Sequence, residues 1–257
     1  MTDLLTEITL WTLAICVLAA FVAGFVDAVA GGGGLIQLPI LMWAFPVAPI
    51  ASILGTNKAV SVVGTSSAAL TYRKQIKIKS QVLVPMVIAA FAGSFLGALL
   101  ATKVEREWFE PIILTILICV GLFTILRPDF GKHEITARVT SPVVAPVLGL
   151  VIGFYDGLIG PGTGMFLVFG LVSLLGYSFL AASATAKFVN VATNLAALAI
   201  FIPSGHVLWL VAALMAPANL LGGFLGARTA LDKGSAFVRL VFLAMLGILV
   251  ARLIAAL

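Results

Sequence analysis

Charge is scarce in this chain. Asp, Glu, Lys and Arg make up 10% of its 257 residues, where a soluble domain carries about 25%. That excludes an ordinary water-facing surface. Cysteine and histidine each occur twice. Cys16 and Cys119 fall within apolar runs and read as small buried residues, so no disulfide framework or metal centre is implied. His133 and His206 lie in loops, far apart in sequence, which argues against a metal site. No phosphate-binding loop with its lysine occurs, so nothing points to an ATPase, and no cofactor is expected. No linker separates soluble domains: the one polar stretch, Arg127–Ser141, joins two halves of a single domain at the surface.

What fills the chain is apolar. Hydrophobic residues make up 62% and mean hydropathy is +1.21. Several runs reach about 20 residues, enough to cross a bilayer as a helix. They are continuous rather than alternating, which disfavours a β-barrel. The expectation is an all-α integral membrane protein. The net charge of +5 does not indicate nucleic acid, because the cations sit in short loops between spans, where they set orientation. The first apolar run has Asp3 and Glu7 in place of a basic leader and carries a repeated motif, so it is expected to remain in the mature chain.

One pattern occurs twice. Gly24-Phe25-Val26-Asp27, Gly31 to Gly34, Thr56-Asn57-Lys58 and Gly93-Ser94-Phe95-Leu96-Gly97 return as Gly153-Phe154-Tyr155-Asp156, Gly160-Pro161-Gly162, Thr185-Ala186-Lys187 and Gly222-Gly223-Phe224-Leu225-Gly226. Asp27 and Asp156, Lys58 and Lys187, and Gly93 and Gly222 each stand 129 positions apart. A duplication without gaps implies two homologous halves. Repeat A covers about 7–126 and repeat B about 140–256, with a connecting loop at 127–139. Five segments are expected in each: 7–29, 34–45, 50–72, 81–101 and 108–126, then 140–158, 163–175, 179–201, 207–230 and 236–256.

The second segment of each half is too short for an upright span and follows a glycine-rich break. The first two segments therefore form a helical hairpin with an unwound tip, which either crosses or re-enters. The basic residues then test orientation. Loop 73–79 holds Arg73, Lys74, Lys77 and Lys79, whereas its repeat mate 202–208 holds no lysine or arginine. By parity, 127–139 (Arg127, Lys132, Arg138) and 228–239 (Arg228, Lys233, Arg239) also lie inside. Lys103 and Arg106 stay outside with Glu105, Glu107 and Glu110. This favours an inverted repeat with both termini outside over a parallel duplication of four spans per half.

The chemistry-bearing residues sit where they are least tolerated. Lys58 and Lys187 lie about eight residues into the third segment of each half. Lysine at mid-membrane costs about 2.5–3.5 kcal/mol on insertion scales, so each must face the interior with a partner. Asp27 and Asp156 are the available partners. Either the lysines give an anion path its positive potential, or they form structural bridges that pin each hairpin; both can hold together. The aspartates can pair with lysine, take up a proton or cap unwound backbone. Lys58, Ser61 and Thr65 share one helical face, as do Lys187, Asn190 and Asn194; with Asn57 they form a polar stripe suited to pore lining or to helix–helix hydrogen bonding. Beyond each glycine tip a helix begins, with free amides and a positive dipole end, at Gly33, Gly34 and Leu35 and at Gly162, Thr163 and Gly164. Small residues at every fourth position (Ala20, Gly24, Ala28; Gly149, Gly153, Gly157) are packing positions. Trp43, Trp108 and Trp209 read as interface anchors.

The run from Gly24 to Leu35 with Leu38-Pro39, the triplet Thr56-Asn57-Lys58, and Gly153 to Gly157 with Gly160-Pro161 together resemble the TauE/SafE family of sulfite-exporter-like permeases over nearly the whole chain. The resemblance implies a duplicated all-helical protein of the bacterial or archaeal inner membrane. It also implies export or uptake of sulfite, sulfoacetate or related small sulfur anions. Asn57 becomes Ala186, Gly32 becomes Pro161 and Ser61 becomes Asn190, so any site is only pseudo-symmetric. The expectation is a secondary transporter of small organosulfur oxyanions, an exporter working by alternating access, driven by membrane potential or coupled protons. Its partners are the anion and the bilayer. A passive anion channel, an intramembrane enzyme (with no histidine in a span and no local acid pair to favour it) and a non-transporting assembly partner are the other readings.

Overall fold

The structure, a computed structural model, describes residues 10–103 and 142–255. In the first half α1 spans Leu10–Ala30, α2 Gly33–Ala44, α3 Ile50–Arg73 and α4 Ser80–Ala101. In the second, α5 spans Val144–Leu158, α6 Thr163–Ser173, α7 Phe179–Phe201 and α8 Trp209–Ala255. Among the described residues there is no strand. The expected segments 207–230 and 236–256 run as one element interrupted at Gly234, whose φ of 74° and ψ of −170° break the helical path. The expected segment 108–126 and the loop 127–139 lie outside the described residues, as do Cys119, His133 and Trp108.

Local chemistry explains the boundaries. Gly31, at φ 87°, ends α1, and only glycine enters that region without steric penalty. In the second half Gly160 and Gly162, at φ 93° and 79°, do the same between α5 and α6. Pro49, with ψ 140°, feeds α3. Ser178 caps α7, its hydroxyl accepting from the Ala181 amide at 3.3 Å. Among the described residues, four helices are long and apolar enough to cross a membrane: Leu10–Ala30, Ser80–Ala101, Phe179–Phe201 and Trp209–Met245. At 12 and 11 residues, α2 and α6 are about half the length of a crossing.

Packing turns the usual soluble order inside out. α3 and α7, which carry the polar residues, are buried along most of their length and pack on each other. Large apolar side chains point outward, among them Leu18, Ile88, Val151 and Leu240, as a lipid-facing belt requires. The fourth helix of each half packs on the first helix of the other, α4 on α5 and α8 on α1. A methyl group on Gly93 would strike the Leu150 backbone, and one on Gly222 the Phe21 backbone. These are repeat-equivalent contacts, and such close approach is what small residues every fourth position allow in a membrane.

Candidate functional site

The broken end of α1 needs partners inside the protein, because unsatisfied carbonyls in a membrane cost several kcal/mol each. Side chains from α3 and α7 supply them. Lys187 Nζ donates to the Asp27 carbonyl, Tyr72 Oη donates to that of Ala28 at 3.0 Å, and Ser183 Oγ donates to that of Val29 at 2.6 Å. The positive lysine also meets the negative end of the helix dipole. Tyr72 and Ser183 were missed in the sequence. A buried tyrosine hydroxyl among apolar residues was the available signal.

The two ion pairs cross between halves. Lys187 Nζ lies 2.9 Å from Asp27 Oδ2, and Lys58 Nζ lies 2.7 Å from Asp156 Oδ2. Each half thus supplies the counter-charge for the lysine of the other. The pairs are not alike. Lys187 is fully buried and holds both the carboxylate and the backbone oxygen of Asp27. The Lys58 contact is close but lacks hydrogen-bond geometry, and Asp156 Oδ2 receives no hydrogen bond. Asp156 is held instead through Oδ1, which accepts from Thr163 Oγ1 at 2.7 Å. Of the three donors on an ammonium, Lys58 directs at most one to a described group, the Asp156 carboxylate.

Lys58 lines a cavity of about 30 Å³ between the two glycine tips, room for a water or a compact polar group. From α1 and the first tip it is lined by Asp27, Gly31 and Gly34; from α3 by Asn57, Lys58, Ser61 and Thr65; from the second half by Asp156, Gly160, Gly162, Thr163, Gly164, Asn190 and Asn194. The polar stripes of α3 and α7 thus meet the tips at one place. Two residues expected in the site do not line it: Gly33, whose Cα is tucked against Ala23 and Asp27, and Lys187, sealed behind Asp27. The amides are also selective. The Leu35 N–H donates to the Gly32 carbonyl and that of Thr163 to the Gly160 carbonyl. The first-turn amides of Gly34 and Gly164 precede any intrahelical bond and stay open to a ligand. The Oδ1 atoms of Asn57 and Asn190 are buried without a described hydrogen-bond partner.

Gln37 and Asn219 brace the first half and were not read from the sequence. Asn219 Nδ2 donates to the Ala20 carbonyl at 2.7 Å and to Gln37 Oε1 at 3.3 Å, while Gln37 Nε2 reaches the Asn57 carbonyl at 3.5 Å. Their repeat mates are Phe166 and Ala90, so the duplication gave no signal for them.

The tips touch directly. A methyl group on Gly164 would fall inside contact distance of the Gly31 backbone, and the reverse also holds. Gly164→Ala is expected to destabilise the protein by about 1–3 kcal/mol by overpacking. Gly32→Ala, whose methyl meets the side chains of Met245 and Met165 and, at ordinary contact distance, Val26, is expected to do less. Thermal unfolding of the purified variants measures the difference.

Comparison with known proteins places this architecture. A model of the family described as Sulfite exporter TauE/SafE matches residues 16–253. The chain is 39% identical over 227 residues to Probable membrane transporter protein ORF9 of Sinorhizobium sp, covering 88% of this chain and 86% of the relative. It is 34% identical over 242 residues to a Probable membrane transporter protein of Haemophilus influenzae, covering 94% of each. It is also 34% identical over 237 residues to Probable membrane transporter protein YfcA of Escherichia coli K12, covering 91% of this chain and 87% of that one. No solved structure matches. With its apolar helices and a family match that runs from α1 into α8, the chain is a multi-pass membrane protein belonging to the TauE/SafE family of membrane transporters.

Proposed function

We propose that this protein is a secondary transporter exporting small organosulfur oxyanions such as sulfite or sulfoacetate, and not an enzyme. The observation that carries this reading is Lys58: a buried ammonium with a single described partner, Asp156, set on a cavity beside the first turns of two helices at Gly34 and Gly164. A charged donor and two helix N-termini converging on one small space suit an oxyanion head group. Lys58, Asn57, Ser61, Thr65, Asn190, Asn194, Gly34, Gly162, Thr163 and Gly164 form the binding wall. Asp27 and Asp156 are its counter-charges, and Lys187 and Gly33 act from behind it.

The two halves work as an inverted repeat within one transmembrane domain, each with a glycine-broken hairpin. The reciprocal packing of α4 on α5 and α8 on α1 and the crossed ion pairs support the duplication; the basic loop 73–79 against the uncharged 202–208 supports the inversion. Rocking one half against the other would open the cavity to each side in turn, driven by protons or membrane potential. Purified protein in liposomes preloaded with unlabelled sulfite is expected to accumulate labelled sulfite by counterflow, saturably. A passive channel gives flux without counterflow, and an assembly partner gives neither. Saturating anion is also expected to raise thermal stability, by about 2.7 kcal/mol at one hundred times Kd.

A further inference from the structure

We infer that Asp27 takes up one proton each time an anion enters the cavity, so that the two bind as a pair; this rests on the anion reading above. The two carboxylates that line the cavity have unlike settings. The Asp156 side chain is 6% exposed, with Lys58 against Oδ2 and the Thr163 hydroxyl on Oδ1. The Asp27 side chain is 20% exposed. Its Oδ2 receives Lys187 at 2.9 Å and Thr65 Oγ1 at 3.4 Å, and no described group bonds its Oδ1. Asp27 lines the same small space that would hold the anion and has a carboxylate oxygen that no described group bonds.

Two negative groups that close in a site shielded from water do not both stay ionised. The amide ends of α2 and α6 attract the anion but do not separate it from Asp27. Charge balance agrees. Lys58 and Lys187 offset Asp27 and Asp156, so an anion arriving alone leaves the cavity one charge out of balance, and a proton restores it. Lys187 tolerates the change, because it keeps the Asp27 backbone oxygen as an acceptor. Asp156, the other carboxylate on the cavity, is more buried and lies against Lys58, and the Asp27→Asn variant separates the two. Of the helices packed on α1, α2 and α6 hold no ionisable residue. Tyr72 of α3 is engaged with the Ala28 carbonyl and Lys187 of α7 with Asp27. Lys58 and Arg73 of α3, and Arg228, Asp232, Lys233 and Arg239 of α8, form no ion pair with Asp27. Cotransport of a monoanion with one proton is electroneutral, so membrane potential does not act on it; export then runs down the outward anion gradient, and an acidic exterior opposes it.

The test is calorimetric titration of the purified protein with methanesulfonate, isethionate and thiosulfate, in buffers of different ionisation enthalpy. Sulfite is avoided because it titrates itself. For the monoanions, uptake of about one proton per anion is expected, with affinity falling about tenfold per pH unit on the alkaline side. Asp27→Asn is expected to bind without proton uptake and with a flat pH profile, which a merely structural role for Asp27 would not produce. Anion binding to the native protein without proton uptake overturns the inference and leaves the anion reading standing. Uptake that persists in Asp27→Asn overturns the assignment to Asp27. If none of the three anions binds the native protein, the anion reading falls and this inference with it. The native measurement decides even if the variant does not fold.

Discussion

Lys58→Ala is expected to abolish anion binding and counterflow and to destabilise the protein by about 3–5 kcal/mol, because it strands the buried Asp156 charge. Loss of function alone would then be ambiguous, since an unfolded carrier also fails. The double variant Lys58→Met, Asp156→Asn separates the two causes. It removes both charges at similar volume, and replacing a buried pair in this way is often neutral or stabilising. Its thermal unfolding should return close to that of the native protein. Its anion binding should not return, because the charged donor is gone: a charge-assisted hydrogen bond contributes about 1.5–3 kcal/mol, and losing several removes measurable affinity. A stable double variant that still exchanges sulfite would show the Lys58–Asp156 pair to be a structural bridge only.

The reason such a pair could be named from the sequence lies in where the charges fall. A lysine eight residues into an apolar helix has few tolerated settings, and its recurrence at a fixed offset excluded accident. The helix ends were legible for the same kind of reason. Glycine at φ 87° and 93° and Pro49 before α3 mark their boundaries through backbone sterics, so the expected 34–45 and 50–72 stand against α2 at Gly33–Ala44 and α3 at Ile50–Arg73. α5 begins later than expected, at Val144 rather than 140; the Thr140-Ser141-Pro142 step just before it was the overlooked boundary signal. Partner choice was not legible. Repeat symmetry permits Lys58 to meet either aspartate, and only the packing of α3 on α7 and of α4 on α5 selects the crossed arrangement. The inequality of the two lysines was equally hidden. It follows the unlike helix ends: at the end of α1 the Asp27 carbonyl accepts from both the Gly31 amide and Lys187, while at the end of α5 the Ile159 and Gly160 amides both turn to the Tyr155 carbonyl. The Gln37–Asn219 brace has no repeat mate, so duplication could not reveal it.

That inequality gives the second large effect. Lys187→Met is expected to destabilise the protein by about 3–5 kcal/mol, as great a loss as at Lys58, because it leaves Asp27 charged and the Asp27 carbonyl without its side-chain donor. The functional consequence should be opposite. Lys187 does not line the cavity, and two of its three donors are held by two oxygens of Asp27, so it is not placed to bind the anion. Lys187→Met, Asp27→Asn should regain much of the lost stability, as the Lys58 pair does, and should still bind methanesulfonate, now without the pH dependence assigned to Asp27. Equilibrium binding and thermal unfolding on the same preparation test both halves of this statement. If the Lys187 double variant loses binding as completely as the Lys58 double variant, the duplication is functionally symmetric and both ammonium groups reach the anion in some state of the carrier. If binding survives only there, one half of the repeat holds the substrate through Lys58 while the other, through Lys187, closes the broken end of α1.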